Sequence, residues 1–264
     1  TGDIIIITYD LVALNSIQPR QIWTNSATLY AFSAVSGGTN FLSTPLVDTA
    51  TVRTLDPTIS KAVIASSHSF TSGNQLAIGE TVTFRITVTL PEGSTNNLRL
   101  TDVLPSSDAG VLTPLSATLV SVGSGISGAG IPAIGSAAAL NGQVFTFDFG
   151  NVLNAGDNDT TNNSIVFDVV ARVADDARNT RGDAPVNTGS MNWVTTLEGG
   201  GTVPGALSAV AGVRLLTPDL TLVKSVNPTT ADGGDIVTYR LTIANPAATY
   251  ATTAFNVNML DSDL

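Results

Sequence analysis

Gly79-Glu80-Thr81-Val82-Thr83-Phe84-Arg85-Ile86-Thr87-Val88 is the stretch that decides the fold of this chain. After the turn glycine, Val82, Phe84, Ile86 and Val88 alternate with Thr83, Arg85 and Thr87. A period of two sets one face of a strand toward a core. The stretch occurs twice, returning as Gly234-Asp235-Ile236-Val237-Thr238-Tyr239-Arg240-Leu241-Thr242-Ile243. Around it the match continues. Lys61 in Ile59-Ser60-Lys61-Ala62-Val63 answers to Lys224 in Leu222-Val223-Lys224-Ser225-Val226, and these are the only lysines in the chain. Asn97-Leu98 with Asp102 answers to Asn256-Val257 with Asp261.

A second comparison links the start of the chain to its middle. Residues 6–13 resemble 165–171, and Trp23-Thr24-Asn25-Ser26-Ala27 resembles Pro185-Val186-Asn187-Thr188-Gly189. All these matches fall at a spacing of about 160 residues, the mark of an array. One complete copy runs over 56–216. Residues 1–55 read as the C-terminal part of a preceding repeat, and 217–264 as the N-terminal part of a following one. Strands are expected at Thr81–Leu90, Leu98–Leu104, Leu115–Val122, Gln143–Phe149, Ser164–Val173 and Val186–Thr196, separated by Gly, Pro, Asn and Asp clusters. The span 123–142, rich in Gly, Ala and Ile, reads as a mobile loop or an inserted hairpin. No stretch carries a helical period beside helix caps. The expected fold is all-β, as tandem immunoglobulin-like β-sandwich repeats.

Composition narrows the function classes. The chain is 43% hydrophobic and only 12% charged, with a net charge of -10 and no cysteine. Phosphates would be repelled, which argues against nucleic acid. Disulfides, thiolate metal sites and cysteine nucleophiles are excluded. No segment is apolar for the roughly 18 residues of a membrane helix, so no membrane insertion is expected in this segment. Low charge with many β-branched and turn-forming residues reads as extracellular, cell-surface or secreted material. With no leader or sorting tail visible, the chain reads as an interior piece of a longer protein.

The residues that recur resemble a known family. Pro218-Asp219-Leu220-Thr221-Leu222-Val223-Lys224-Ser225-Val226, the glycine-led stretch 234–245 and the stretch 255–264 are similar to the bacterial and archaeal surface repeat called DUF-eleven. Its pattern is a lysine strand, a Gly-x-x-Val-Thr-Tyr strand, an Asn-Val-x-Val-x-Asp strand and a closing Asn-Thr-Ala strand. Here Gly189 stands in place of the alanine, and the repeat is longer than is typical. The resemblance implies a stalk or adhesin module on large cell-surface proteins.

Collagen-adhesin-type sandwiches, similar in plan, join a first-strand lysine to a last-strand asparagine beside a buried acid. The positions here meet that need. Alternation sets Lys61 beside Ile59 and Val63, and Lys224 beside Leu222 and Val226. An ammonium aimed at a core is costly unless paired or chemically consumed. Asp102 shares a face with Leu98, Leu100 and Leu104. Asn187 shares one with Met191 and Trp193, and Asn25 with Trp23, Ala27 and Leu29. Asn192, the rival acceptor, falls on the opposite face. The expected cross-link joins Lys61 to Asn187 with Asp102 as assisting acid, while Lys224 uses Asp261 and an asparagine beyond residue 264. In a second arrangement the tail of one subunit completes the head of the next, and Lys224 faces Asn25 of its neighbour. The simpler alternative to a bond is a buried Lys61–Asp102 ion pair with Asn187 hydrogen-bonded to it.

Other signals are weaker. Asp157 and Asp159, with Asn158, Asn162 and Asn163, gather oxygen ligands, so calcium is possible although the spacing is not that of an EF-hand; a solvated turn is the simpler reading. No cofactor and no other metal site is expected. Arg181-Gly182-Asp183 lies in the loop before the closing strand, where a turn explains it. His68 has no second histidine for a metal or a relay, and no nucleophile-elbow pattern accompanies it. The Asn158 and Asn162 sequons mark an exposed loop. The chain is therefore expected to be no enzyme but a structural segment of a stalk, fibre or sheath. Its partners would be neighbouring repeats or subunits. The alternative is an adhesin module that recognises a glycan or matrix protein.

Overall fold

The computed structural model describes residues 4–32, 38–42 and 44–261. The strands in chain order are β1 (Ile22–Leu29), β2 (Leu46–Arg53), β3 (Thr58–Ser66), β4 (Gln75–Ala77), β5 (Thr81–Thr89) and β6 (Gly93–Val103). Then follow β7 (Ser106–Ser107), β8 (Gly110–Val122), β9 (Ile126–Ser127), β10 (Ala139–Asn141), β11 (Val144–Asn154) and β12 (Ser164–Val173). The last are β13 (Val186–Thr196), β14 (Thr202–Gly212), β15 (Arg214–Leu216), β16 (Thr221–Asn227) and β17 (Thr238–Ala244). Among the described residues the one helical element is a 3-10 turn, Thr160–Asn162.

Most of these strands form two sheets within residues 58–212. One has the order β3-β5-β12-β8-β7, the other β10-β11-β6-β13-β14 with β9 on β11. The period of two read in the sequence is the period of burial. Val82, Phe84, Ile86 and Val88 of β5 and Ile165, Phe167, Val169 and Ala171 of β12 face inward from the first sheet. Leu98 and Leu100, Phe145, Phe147 and Phe149, and Met191 and Trp193 face them from the second. All belong to one buried cluster, in which Phe147 meets Phe167 edge-on with ring centroids 5.5 Å apart. Each large side chain so buried contributes about 1.5–3 kcal/mol.

Both edges of this core are closed by features that strand patterning missed. On one side β14 lies along β13 and approaches β3. Its run of small residues carries little strand signal, and the reason is steric: a Cβ at Gly205 would stand 2.0 Å from Cε2 of Trp193. On the other side the span 123–142 is neither a free loop nor a separate hairpin. It is a strap between the two sheets. β9 pairs with β11, Ala138 N–H donates to Ala117 at 2.9 Å on β8, and β10 then pairs again with β11. Ile126 of the strap is itself buried in the core. Because its residues serve two sheets in turn, no single period runs through the strap.

Outside this body, β1 pairs only with β2 and β16 only with β17. Every residue of β1 is exposed, Asn25 included, so the expectation that Asn25 points into a core is not met. No second sheet covers that hairpin among the described residues. The end of the matched stretch 255–264 also falls partly outside description, at 262–264.

Candidate functional site

Lys61 enters the site from β3, in register opposite Ile86 of β5. β3 shows the alternation of an edge strand, with Ile59, Lys61 and Val63 on its inner side. Asp102 comes from the other sheet, on β6 between the buried Leu100 and Leu104. Asn187 lies one strand further, on β13 in line with Met191 and Trp193. The backbone register sets Asp102 directly opposite Gly189, two residues along from Asn187.

The side chains of Lys61 and Asp102 are each 0% exposed, and the ammonium nitrogen donates to Asp102 Oδ2. The same nitrogen lies 5.3 Å from the ring centroid of Phe84. Gly189 makes room for it: a Cβ there would lie 3.6 Å from Lys61 Nζ and 3.3 Å from Ile86 Cγ1. Asn187 is 0% exposed, and neither its Oδ1 nor its Nδ2 has a hydrogen-bond partner of good geometry; Asp102 Oδ1 is also unpartnered.

Electrostatics push the pair toward neutrality. Burial lowers the Lys61 pKa, and the Asp102 charge opposes that shift only in part. Burial raises the Asp102 pKa against the pull of Lys61 and of the nearby Asn187 carboxamide. Passing the proton from ammonium to carboxylate leaves an amine and a carboxylic acid, both uncharged, in a site closed to water. A neutral amine is the nucleophilic form of lysine.

Lys224 and Asp261, which match Lys61 and Asp102 in the sequence, meet in the same way. Lys224 Nζ is 2.7 Å from Asp261 Oδ1, Lys224 is in register with Leu241, and its nitrogen lies 5.0 Å from the Tyr239 ring centroid. Asn25, by contrast, donates to the Tyr9 hydroxyl and is not brought to either lysine. Asn192 faces outward, as its parity requires.

The remaining sequence signals find local employment. Asp157 accepts from the Asp159 N–H at 2.9 Å and from Asn162 Nδ2 at 2.9 Å, and Asp159 caps the 3-10 turn by accepting from Thr161 N–H. Among the described residues no three His, Cys, Asp or Glu side chains are grouped to hold a metal ion. The Asn158 sequon is exposed, but the Asn162 side chain is partly buried, with Oδ1 enclosed. Arg181 pairs with Asp219 at 2.7 Å, and Asp183 accepts from Thr180. His68 stacks on Phe70. A buried carboxylate that the sequence did not single out is Glu80: it accepts from the Thr71 hydroxyl at 2.6 Å and Ala77 N–H at 2.8 Å, and so fastens the loop between β3 and β5. Its place after a turn glycine, shared with Asp235, was the available signal.

No family model matches the chain, and no curated protein matches it. Among solved structures, BcpA, the major pilin subunit of Bacillus cereus, is similar over 76% of this chain and 57% of its own length, at 13% identity and a TM-score of 0.36. The T6 backbone pilin of serotype M6 Streptococcus pyogenes is similar over 77% of this chain and 47% of its own, at 13% identity and a TM-score of 0.39. The full-length major pilin SpaD from Corynebacterium diphtheriae is similar over 83% and 68%, at 12% identity and a TM-score of 0.36. The chain thus spans little more than half of the BcpA subunit. Likeness this slight transfers no role. No helix in the described residues is long and apolar enough to cross a membrane.

Proposed function

We propose that this chain is a load-bearing segment of an extracellular array of immunoglobulin-like sandwich repeats on a prokaryotic surface, and that residues 56–216 are locked by an isopeptide bond between Lys61 and Asn187. The observation that carries this reading is the fully buried Lys61–Asp102 pair beside an Asn187 carboxamide that acts on Asp102 yet has no hydrogen-bond partner of good geometry. Leaving such a group buried and unsatisfied costs about 1–3 kcal/mol. A bond would release Asn187 Nδ2 as ammonia and leave Lys61 as part of an uncharged amide.

In the step itself, the Lys61 amine attacks Cγ of Asn187 while the Asp102 carboxylic acid donates its proton toward the carboxamide. The new C–N bond forms, the old bond to the amide nitrogen breaks, and ammonia leaves. Asp102 takes a proton from the attacking amine in exchange and so ends the step protonated, as it began. Fixed proximity in a water-free site supplies much of the acceleration. One event per repeat consumes the groups, so the protein turns nothing over.

Connectivity gives the bond a mechanical meaning. Tension entering at residue 56 and leaving at 216 would cross from Lys61 straight to Asn187. The strands between them, about 125 residues or roughly 40 nm of extended chain, would be shielded from load. By the chain-entropy reasoning used for disulfides, closing a loop of that length removes about 5 kcal/mol of freedom from the unfolded state.

Intact mass of the folded chain tests this. The expected value is lower than the sequence mass by one ammonia, not two, and returns to the sequence mass in Asp102→Ala. An unshifted mass in the unmodified chain would leave only the ion pair and overturn the cross-link.

A further inference from the structure

Successive copies are joined by two short linkers, Thr54-Leu55-Asp56-Pro57 between β2 and β3 and Thr217-Pro218-Asp219-Leu220 between β15 and β16. Each has threonine first and aspartate third, and each aspartate stands five residues before its lysine. Each linker aspartate pairs with an arginine of the loop before the closing strand. Asp56 lies 2.8 Å from Arg20 and 3.0 Å from Arg53, and Asp219 lies 2.7 Å from Arg181. Arg20 and Arg181 occupy the same loop of successive copies, the one before the closing strand.

The backbone repeats the pattern. Thr54 N–H donates to Gln21 C=O at 3.0 Å at the first joint, and Leu215 N–H donates to Asp183 C=O at 2.9 Å at the second. The loop turns through the left-handed region in both, at Arg20 with φ 64° and at Gly182 with φ 85°. From there it reaches the next copy. At the first joint Gln21 Nε2 donates to Thr196 C=O at 2.7 Å, and the Arg20 guanidinium lies 4.9 Å from the Trp193 ring centroid. At the second, Arg214 donates to Gly182 C=O at 2.6 Å and lies 5.1 Å from the Tyr250 ring centroid.

We infer that the linker aspartate is an ionic latch that seats each repeat on the loop of the one before it, so that the array is a stiff rod of recurring orientation. The partner of this surface is the next copy in the same chain. Four-residue linkers limit how far neighbours can separate; the ion pair, the Gln21–Thr196 hydrogen bond and the Arg214–Tyr250 contact limit how they can turn. The latch is half-exposed, so salt weakens it. The inference rests on the tandem-repeat reading and not on the cross-link.

The test uses the full 264-residue chain. Asp219→Arg is expected to speed amide hydrogen exchange at Leu215 and Thr217 by roughly two- to ten-fold, and Arg181→Asp added to it to restore the slower rates. Because the chain has no cysteine, nitroxide pairs can be placed cleanly at the exposed Ser60 and Thr242. Their distance distribution should be narrow, and broadened by Asp219→Arg alone. Unchanged exchange, failure of the reversed pair to rescue, or a broad distribution in the unmodified pair-labelled chain would overturn the latch. Intact mass of the same samples reports on Lys61 separately, so loss of one reading is not mistaken for loss of the other.

Discussion

Lys61 with Asp102 and Lys224 with Asp261 are one motif in two surroundings. Register, aromatic neighbour and acid partner agree between them. Even the left-handed asparagine ahead of the acid recurs, at Asn97 with φ 50° and Asn256 with φ 51°. Exposure does not agree. The first pair is 0% exposed on both side chains, the second 40% and 24%. The pairing is therefore a local product of three neighbouring chain segments. Its chemistry is not, because only around Lys61 do β6, β13 and β14 close over the lysine strand and bring up an asparagine.

The contrast can be broken most forcefully at Asp102. In Asp102→Ala the proposed bond is expected not to form, and a lysine built into the core loses its partner. The expected loss is about 5 kcal/mol for the missing cross-link, with about 3–5 kcal/mol more for the stranded group, read as a large fall in the denaturation midpoint. Asp261→Ala should cause no comparable fall. If it does, burial is not what separates the two sites.

A smaller effect decides between bond and ion pair. Replacing both buried groups, as Lys61→Met with Asp102→Leu, removes the charges without stranding either. Should the native site hold only an ion pair, this variant is neutral or more stable by about 1–4 kcal/mol. With the bond present in the native chain there is no charged pair to relieve, so the variant only loses the cross-link of about 5 kcal/mol and is the less stable one. Denaturant titration reads the sign directly.

The pH dependence sharpens the same point. In Asn187→Ala the pair persists unconsumed. Asp102 has a raised pKa, so its contribution is present below the ordinary carboxyl range and lost as pH rises through the folded value. Lys61 has a lowered pKa, so its contribution is present above the ordinary lysine range and lost as pH falls through the folded value. Compared with Asn187→Ala carrying Lys61→Met and Asp102→Leu, the variant should lag most across neutral pH. The gap should narrow below about pH 4 and above about pH 10. A gap independent of pH would mean that the pair carries no desolvation cost. The smallest effect is expected at the exposed pair: Lys224→Met with Asp261→Asn should move stability by no more than about 1 kcal/mol.

The strand alternation, the repeat and the inward parity of Lys61, Asp102 and Asn187 were legible in the sequence because each is a local rule. A period of two depends on neighbouring residues, and a repeat depends on comparing the chain with itself. Ser164–Val173 and Val186–Thr196 were readable to the residue for that reason. β14 was not, since its small residues answer to the Trp193 ring and not to their own neighbours. The strap over 123–142 was not, since its pairing alternates between two sheets. Asn25 carries the same local pattern as Asn187 yet lies exposed. The sequence determined which residue types recur and which side of a strand they take. Only the tertiary structure decided which of them leave water, because burial depends on strands from the opposite sheet, and burial is what shifts the pKa values of Lys61 and Asp102.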